Sequence, residues 1–216
     1  MKKLLIILLL AGLFACQETP EKSSEAPVLK DAATTPTPAE DTLAYREVAI
    51  PFSQASINMP AHYTHITLDE IAEIINASDL DEEEKLIKQG GLQEIRSLGN
   101  KMIYADTANI FNFVIFVETE YIYISRSMGR RYLGMVEQSL EREWSDTGDK
   151  FEKLDSKYLH SKKKEIIKAK YKLITNGESD YYTQYIVSGK DNSLIMIAIN
   201  DDNMDLEPQI KTLEIL

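Results

Sequence analysis

Residues 165–199 constrain the fold most, because two strand patterns meet there at a turn whose chemistry leaves few options. Ala169, Tyr171 and Leu173 alternate with Lys168, Lys170 and Lys172 across residues 165–174. Side chains two apart share one face of a strand, so one face reads as core and the other as solvated. Asn176 and Gly177 follow, and both accept the positive φ that the central residues of a tight hairpin turn require. Residues 181–187 return as the partner strand, 189–192 turn again, and 194–199 form a third strand that is apolar on both faces. With a further strand at 151–159, the carboxy-terminal third reads as an antiparallel meander.

Upstream, residues 47–52 and 55–59 alternate around Pro51 and suggest a short edge strand ending at Pro60. Thr67 and Glu70 have the spacing of a capping box, and Leu68, Ile71, Ile74 and Ile75 recur at helical spacing behind it. Ser78 or Asp79 restarts a second helix, whose weaker stripe of Leu80, Ile87, Leu92 and Ile95 is interrupted by Gly90 and Gly91. Residues 110–117 are nearly all apolar, as in a strand covered on both faces at the centre of a sheet, and 121–125 form another extended piece. From 129 to 144, Leu133, Val136, Leu140 and Trp144 make the apolar stripe of a packing helix. Asp205 starts a last short helix with Pro208 in its first turn, and Leu213, Ile215 and Leu216 close the chain. The expected fold is α+β, an antiparallel sheet with helices packed on it, in a single domain over residues 46–216.

The amino terminus indicates where such a domain is held. Lys2 and Lys3 precede an apolar run at 4–10, well short of the about 20 residues needed to span a bilayer as a helix, which is the pattern of a signal peptide over residues 1–15. Leu13, Phe14, Ala15 and Cys16 resemble the bacterial lipobox, with Phe14 as its one departure from the commonest form. The resemblance implies cleavage before Cys16 and acylation of its sulfur. Each buried acyl methylene contributes about 0.8 kcal/mol, so two or three chains hold a protein on a membrane. Cys16 is the only cysteine, which excludes an internal disulfide or a multi-thiolate metal site. Residues 16–45 carry four of the seven prolines and are poor in aromatics, the composition of a disordered tether. Gln17 is not the aspartate that retains many lipoproteins at the inner membrane, so the outer membrane is favoured.

The order of starting strand, buried strand, packing helix, meander, last helix and final strand resembles the PsbP-like family, named for a photosystem extrinsic subunit and rich in bacterial lipoproteins of unassigned role. The resemblance covers residues 47–60 and 108–216, most tellingly 164–199 with the closing segment, and leaves 67–98 as an insertion. It implies an α/β sandwich serving as a binding or assembly module and carries no catalytic residues with it.

Chemical motifs are sparse. His62, His65 and His160 are the only histidines, and they read as surface residues more readily than as metal ligands. Ser53, Ser125 and Ser161 lack the glycine-flanked elbow of a hydrolase nucleophile, and no phosphate-cradling glycine loop or cofactor motif occurs. Asp201, Asn203 and Asp205 have the first spacings of a calcium loop, but Leu206 and Thr212 stand where glycine and a bidentate glutamate are needed. The net charge of −11 becomes −13 once Lys2 and Lys3 are removed, which argues against nucleic-acid partners. Two surfaces are candidates for binding. The Lys168, Lys170 and Lys172 stripe faces either an anionic partner or solvent and the protein's own acids. Tyr181, Tyr182 and Tyr185, with Tyr121 and Tyr123, make either an aromatic platform or ordinary strand packing. The chain is therefore expected to be a lipid-anchored, non-enzymatic envelope module with an envelope protein partner, the alternatives being an envelope hydrolase or a glycan-binding surface lipoprotein.

Overall fold

Alternation along the strands sorts the apolar residues into two cores on opposite faces of one sheet, in the computed structural model that describes residues 44–144, 150–161, 163–175 and 178–215. In chain order the elements are β1 (Tyr45–Ile50), a 3-10 turn at Pro51–Ser53, β2 (Ala55–Pro60), β3 (Tyr63–Ile66), α1 (Leu68–Ala77), α2 (Glu82–Ser97), β4 (Lys101–Asp106) and β5 (Phe113–Glu118). They continue with α3 (Arg126–Trp144), β6 (Lys150–His160), β7 (Glu165–Thr175), β8 (Glu178–Ser188), β9 (Ser193–Asn200), α4 (Glu207–Thr212) and β10 (Glu214–Ile215). The large sheet runs β3-β4-β5-β9-β8-β7-β6 with every neighbour antiparallel, and a small sheet runs β1-β2-β10. The fold is α+β. Cys16, the expected tether as far as residue 43, Asn176, Gly177 and Leu216 lie outside the described residues, as does the side chain of Trp144.

The doubly apolar strands sit where their composition requires. In β5, Ile115 and Val117 face the helices while Val114 and Phe116 face the small sheet, and β9 splits Ile195 and Ile197 from Leu194, Met196 and Ala198 in the same way. Tyr132, Val136 and Leu140 of α3 and Ile71, Ile75, Leu92 and Ile95 of the α1–α2 pair cover the first face. The second is covered by β1, β2 and α4. The capping box forms as expected: Glu70 N–H donates to Thr67 Oγ1 at 3.2 Å and Thr67 N–H to Glu70 Oε2 at 2.7 Å. Asp81, rather than Ser78 or Asp79, caps α2 by accepting from Glu84 N–H at 2.8 Å. Burial of Leu92 and Ile95 carries that helix through Gly90 and Gly91. Thr175 pairs with Glu178, leaving the two-residue spacing expected of the hairpin.

Three expectations change. Residues 121–125 form no strand, and β3 and β4 add two strands that the sequence did not suggest. β2 is the middle strand of its sheet rather than an edge, because β10 pairs Glu214 and Ile215 with Ser56 and Ala55. The third concerns the lysine face of β7, which is buried: Lys168 is 0% exposed and Lys170 5%. Residues 203–207 lie over it, so its ammonium groups meet protein in place of water.

Lys168 Nζ donates to Asp205 Oδ2 at 2.8 Å and Glu207 Oε2 at 2.9 Å, and lies 3.0 Å from Asp155 Oδ2. A register shift between Lys153 and Asp155 makes this possible. Lys153 reaches Glu137 on α3, and one extra residue turns Asp155 to the opposite face of the sheet. Lys157 and Lys211 also bind Glu207, and Tyr185 Oη donates to Asp205 Oδ1 at 2.9 Å. Burial opposes ionisation of Glu207, but the bonds from Lys157, Lys168 and Lys211 hold its pKa down at about 2. For Lys168, burial disfavours the ammonium and the three carboxylates more than offset it, raising its pKa above the ordinary value.

A carboxylate depressed in the folded state contributes stability above its unfolded pKa and loses it as pH falls through the folded one. Glu207, ordinarily at 4.5, therefore contributes about 3 kcal/mol that disappears between about pH 5 and pH 2. Lys168→Met removes the central charge and leaves the three carboxylates facing one another. Urea midpoints should show a loss of about 3–5 kcal/mol at pH 7. The variant should also lose less on going to pH 3 than the natural chain does, and equal acid losses would contradict this role for Lys168.

Candidate functional site

Tyr181 and Tyr185 point to one face of β8 and Tyr182 to the other, so the three cannot form a platform. Tyr182 is buried against the helices, Tyr185 is buried beside Asp205, and Tyr181 is half-buried with the Lys170 ammonium 6.0 Å from its ring centre. Lys170 donates to the carbonyls of Asn203 at 3.0 Å and Met204 at 3.3 Å. Lys172 is half-buried. The expected lysine and tyrosine surfaces are thus mostly internal packing. Asp205 also accepts from Glu207 N–H at 2.9 Å, one residue ahead of the Leu206 cap of α4. Among the described residues no group of His, Cys, Asp or Glu is arranged to hold a metal ion.

A cleft of about 360 Å³ opens at the other end of the same strands. The register explains what meets there: His160 pairs with Glu165, Glu165 with Ser188, and Ser188 with Ser193, so the β6–β7 and β8–β9 turns share one end of the sheet. Those turns bring Lys163, Lys164 and Lys190 to the cleft, and the start of α3 adds Arg126. Lys164 is committed elsewhere, since its ammonium donates to the carbonyls of Ile210, Lys211 and Leu213 and draws the end of α4 toward β7. Burial pushes its pKa below the ordinary lysine value. Lys190 is 3.8 Å from Asp191, while Arg126 and Lys163 make no ion pair among the described residues. The first turn of α3 holds no acidic residue, which leaves the positive end of its dipole unopposed.

Glu165 is the only carboxylate in the lining among the described residues, and it is occupied: Tyr158 Oη donates to one oxygen and His160 Nδ1 lies 2.5 Å from the other. Burial and Glu165 together push the Tyr158 hydroxyl up to about 12. The aromatic wall is set by the segment before α3. Ile124 is buried and Ile122 partly so, which leaves Tyr121 at 49% and Tyr123 at 64% exposure beside the cleft. The backbone of Ile122 is pinned from both sides, its N–H donating to Ser193 Oγ at 2.8 Å and its carbonyl accepting from Ser188 Oγ at 2.6 Å. Ser125 and Ser161 also line the cleft, but each hydroxyl is bonded within its own turn, to Ser127 and Met128 N–H and to the backbone of Lys163 and Lys164. His160 bonds to Glu165 instead.

The solution structure of cyanobacterial PsbP (CyanoP) from Synechocystis sp. PCC 6803 is similar to this chain. The similarity has a TM-score of 0.48 at 6% identity and covers 83% of this chain and 98% of that one. A crystal structure from Bacteroides thetaiotaomicron VPI-5482 is similar with a TM-score of 0.41 at 11% identity, covering 79% of this chain and 48% of the other, about half its length. No family model matches the chain, and no curated protein matches it.

Sequence reasoning grouped Tyr121 and Tyr123 with the tyrosines of β8 and passed over Arg126 and Lys190. A signal for the lysines was present. In a meander, alternate turns fall at the same end of the sheet, so Lys163 before β7 and Lys190 after β8 must approach one another once the hairpin between those strands is fixed.

Proposed function

We propose that the chain is a lipid-anchored, non-enzymatic binding module of the bacterial cell envelope that holds an anionic ligand in the cleft at the start of α3. The observation that carries this is the collection of Arg126, Lys163 and Lys190 around one recess in a protein of net charge −11. An acidic chain that gathers cations at turns has concentrated its attraction for anions at one place. The volume suits a small molecule. None of the three serine hydroxyls in the cleft, those of Ser125, Ser161 and Ser188, bonds to His160 among the described residues, which favours binding over hydrolysis.

The anchor reading rests on Lys2, Lys3, the apolar run and Leu13–Cys16, with the outer membrane favoured by Gln17. Labelled palmitate fed to an expressing bacterium should appear in the natural protein and be missing from Cys16→Ala. Label in both would remove the anchor.

For the cleft, thermal midpoints of the full chain in detergent should rise with inorganic phosphate relative to chloride at equal ionic strength, as binding to the folded state requires. Phosphate also stabilises proteins without binding a site, so Lys163→Ala/Lys190→Ala sets the baseline. A smaller rise in the variant is expected, and an equal rise in both would contradict anion binding at the cleft.

A further inference from the structure

The anion-binding reading leaves two exposed aromatic rings unused. Tyr121 and Tyr123 are two apart, with Ile122 partly buried and Ile124 buried between and after them, so both rings stand on the outer side of the segment that leads into α3. Among the large apolar side chains described, Tyr123 is second in exposure only to Leu86 at 66%, and Tyr121 comes next after Tyr45 at 51%. Their backbone is nevertheless fixed through Ile122 to Ser188 and Ser193, both 2% exposed, so the rings are carried by a rigid support. A ring with an apolar face and a polar edge suits a ligand of the same kind, such as a sugar with its C–H face and hydroxyl rim.

We propose that the cleft takes a short anionic saccharide, its ring against Tyr121 and Tyr123 and its phosphate or carboxylate between Arg126, Lys163 and Lys190. This rests on the reading that the cleft binds an anion. Length follows from charge. Electrostatic interactions are screened over about 8 Å at physiological ionic strength, so the cation cluster acts on what is inside the cleft. A long polyanion would continue onto a surface that is acidic overall and be repelled there. Glu165, held by Tyr158 and His160, is turned to its own partners and does not use up the cations. Ser125 and Arg126 place the start of α3 at the same recess, where the helix dipole adds to the attraction for the charged group.

The test compares four probes on the full chain in detergent: glucose 6-phosphate, glucuronate, glycerol 3-phosphate and inorganic phosphate. The two cyclic probes should bind about tenfold more tightly than inorganic phosphate. Tyr123→Ala, which alters an exposed side chain, should weaken the cyclic probes by about threefold to tenfold and leave inorganic phosphate unchanged. Glycerol 3-phosphate represents a lipid headgroup and lacks a ring. Binding of it as tight as that of glucose 6-phosphate would overturn the saccharide assignment, as would equal affinity for all four probes or a Tyr123→Ala variant with no selective loss. If inorganic phosphate itself does not bind, the anion reading beneath this proposal is what fails.

Discussion

The ion cluster around Lys168 is the constraint on which the rest of the second face depends. An ammonium group with no solvent contact cannot remain charged without partners, and here Asp155, Asp205 and Glu207 supply three. Meeting that requirement fixes several separate pieces of chain. It holds the bulge of β6, the segment before α4 and the first residue of α4 against β7 at one point. With α4 in place, Lys164 can reach the carbonyls at its far end, and β10 can pair with β2. Ile215 then packs so closely on Gly189 that a Cβ there would lie 2.8 Å from its Cγ2. Gly189 belongs to the turn that carries Lys190 into the cleft, so a continuous run of contacts links the buried cluster to the exposed one.

The two cation groups therefore have opposite roles, set by geometry rather than residue type. Lys168 and Lys170 end in carboxylates and carbonyls under a covering segment, where replacing them would leave buried acceptors unsatisfied. Lys163, Lys190 and Arg126 sit at turns and a helix start, where no acid of their own neutralises them fully. The same contrast holds for the tyrosines: those of β8 supply packing, and those before α3 supply surface.

Much of the fold was legible because it rests on local patterns. The alternation in β7, the Asn176–Gly177 turn and the doubly apolar β9 specify a meander without reference to anything distant. The capping box marked the start of α1 within one residue. What escaped depends on remote partners. β3 is four residues, too short to show a period, and residues 102–105 of β4 are an apolar run with no alternation to distinguish them, while the expected final strand gave no sign that it would pair with β2. Alternation also shows that Lys168, Lys170 and Lys172 share a face without showing whether water or another element covers it. The candidate site was hidden for a related reason, since its cations come from separate turns and only strand register brings them together.

Lysine reactivity would test this division between buried and presented cations most directly. A brief pulse of an amine-acylating reagent on the native full chain, read residue by residue by mass spectrometry, should label Lys163 and Lys190 quickly and leave Lys168 and Lys170 unlabelled until the protein unfolds. Glucose 6-phosphate should slow labelling at Lys163 and Lys190 and leave exposed Lys153 unaffected. Labelling of Lys168 at the rate of Lys163 in the folded protein would contradict the buried cluster, and equal protection at all exposed lysines would contradict the cleft.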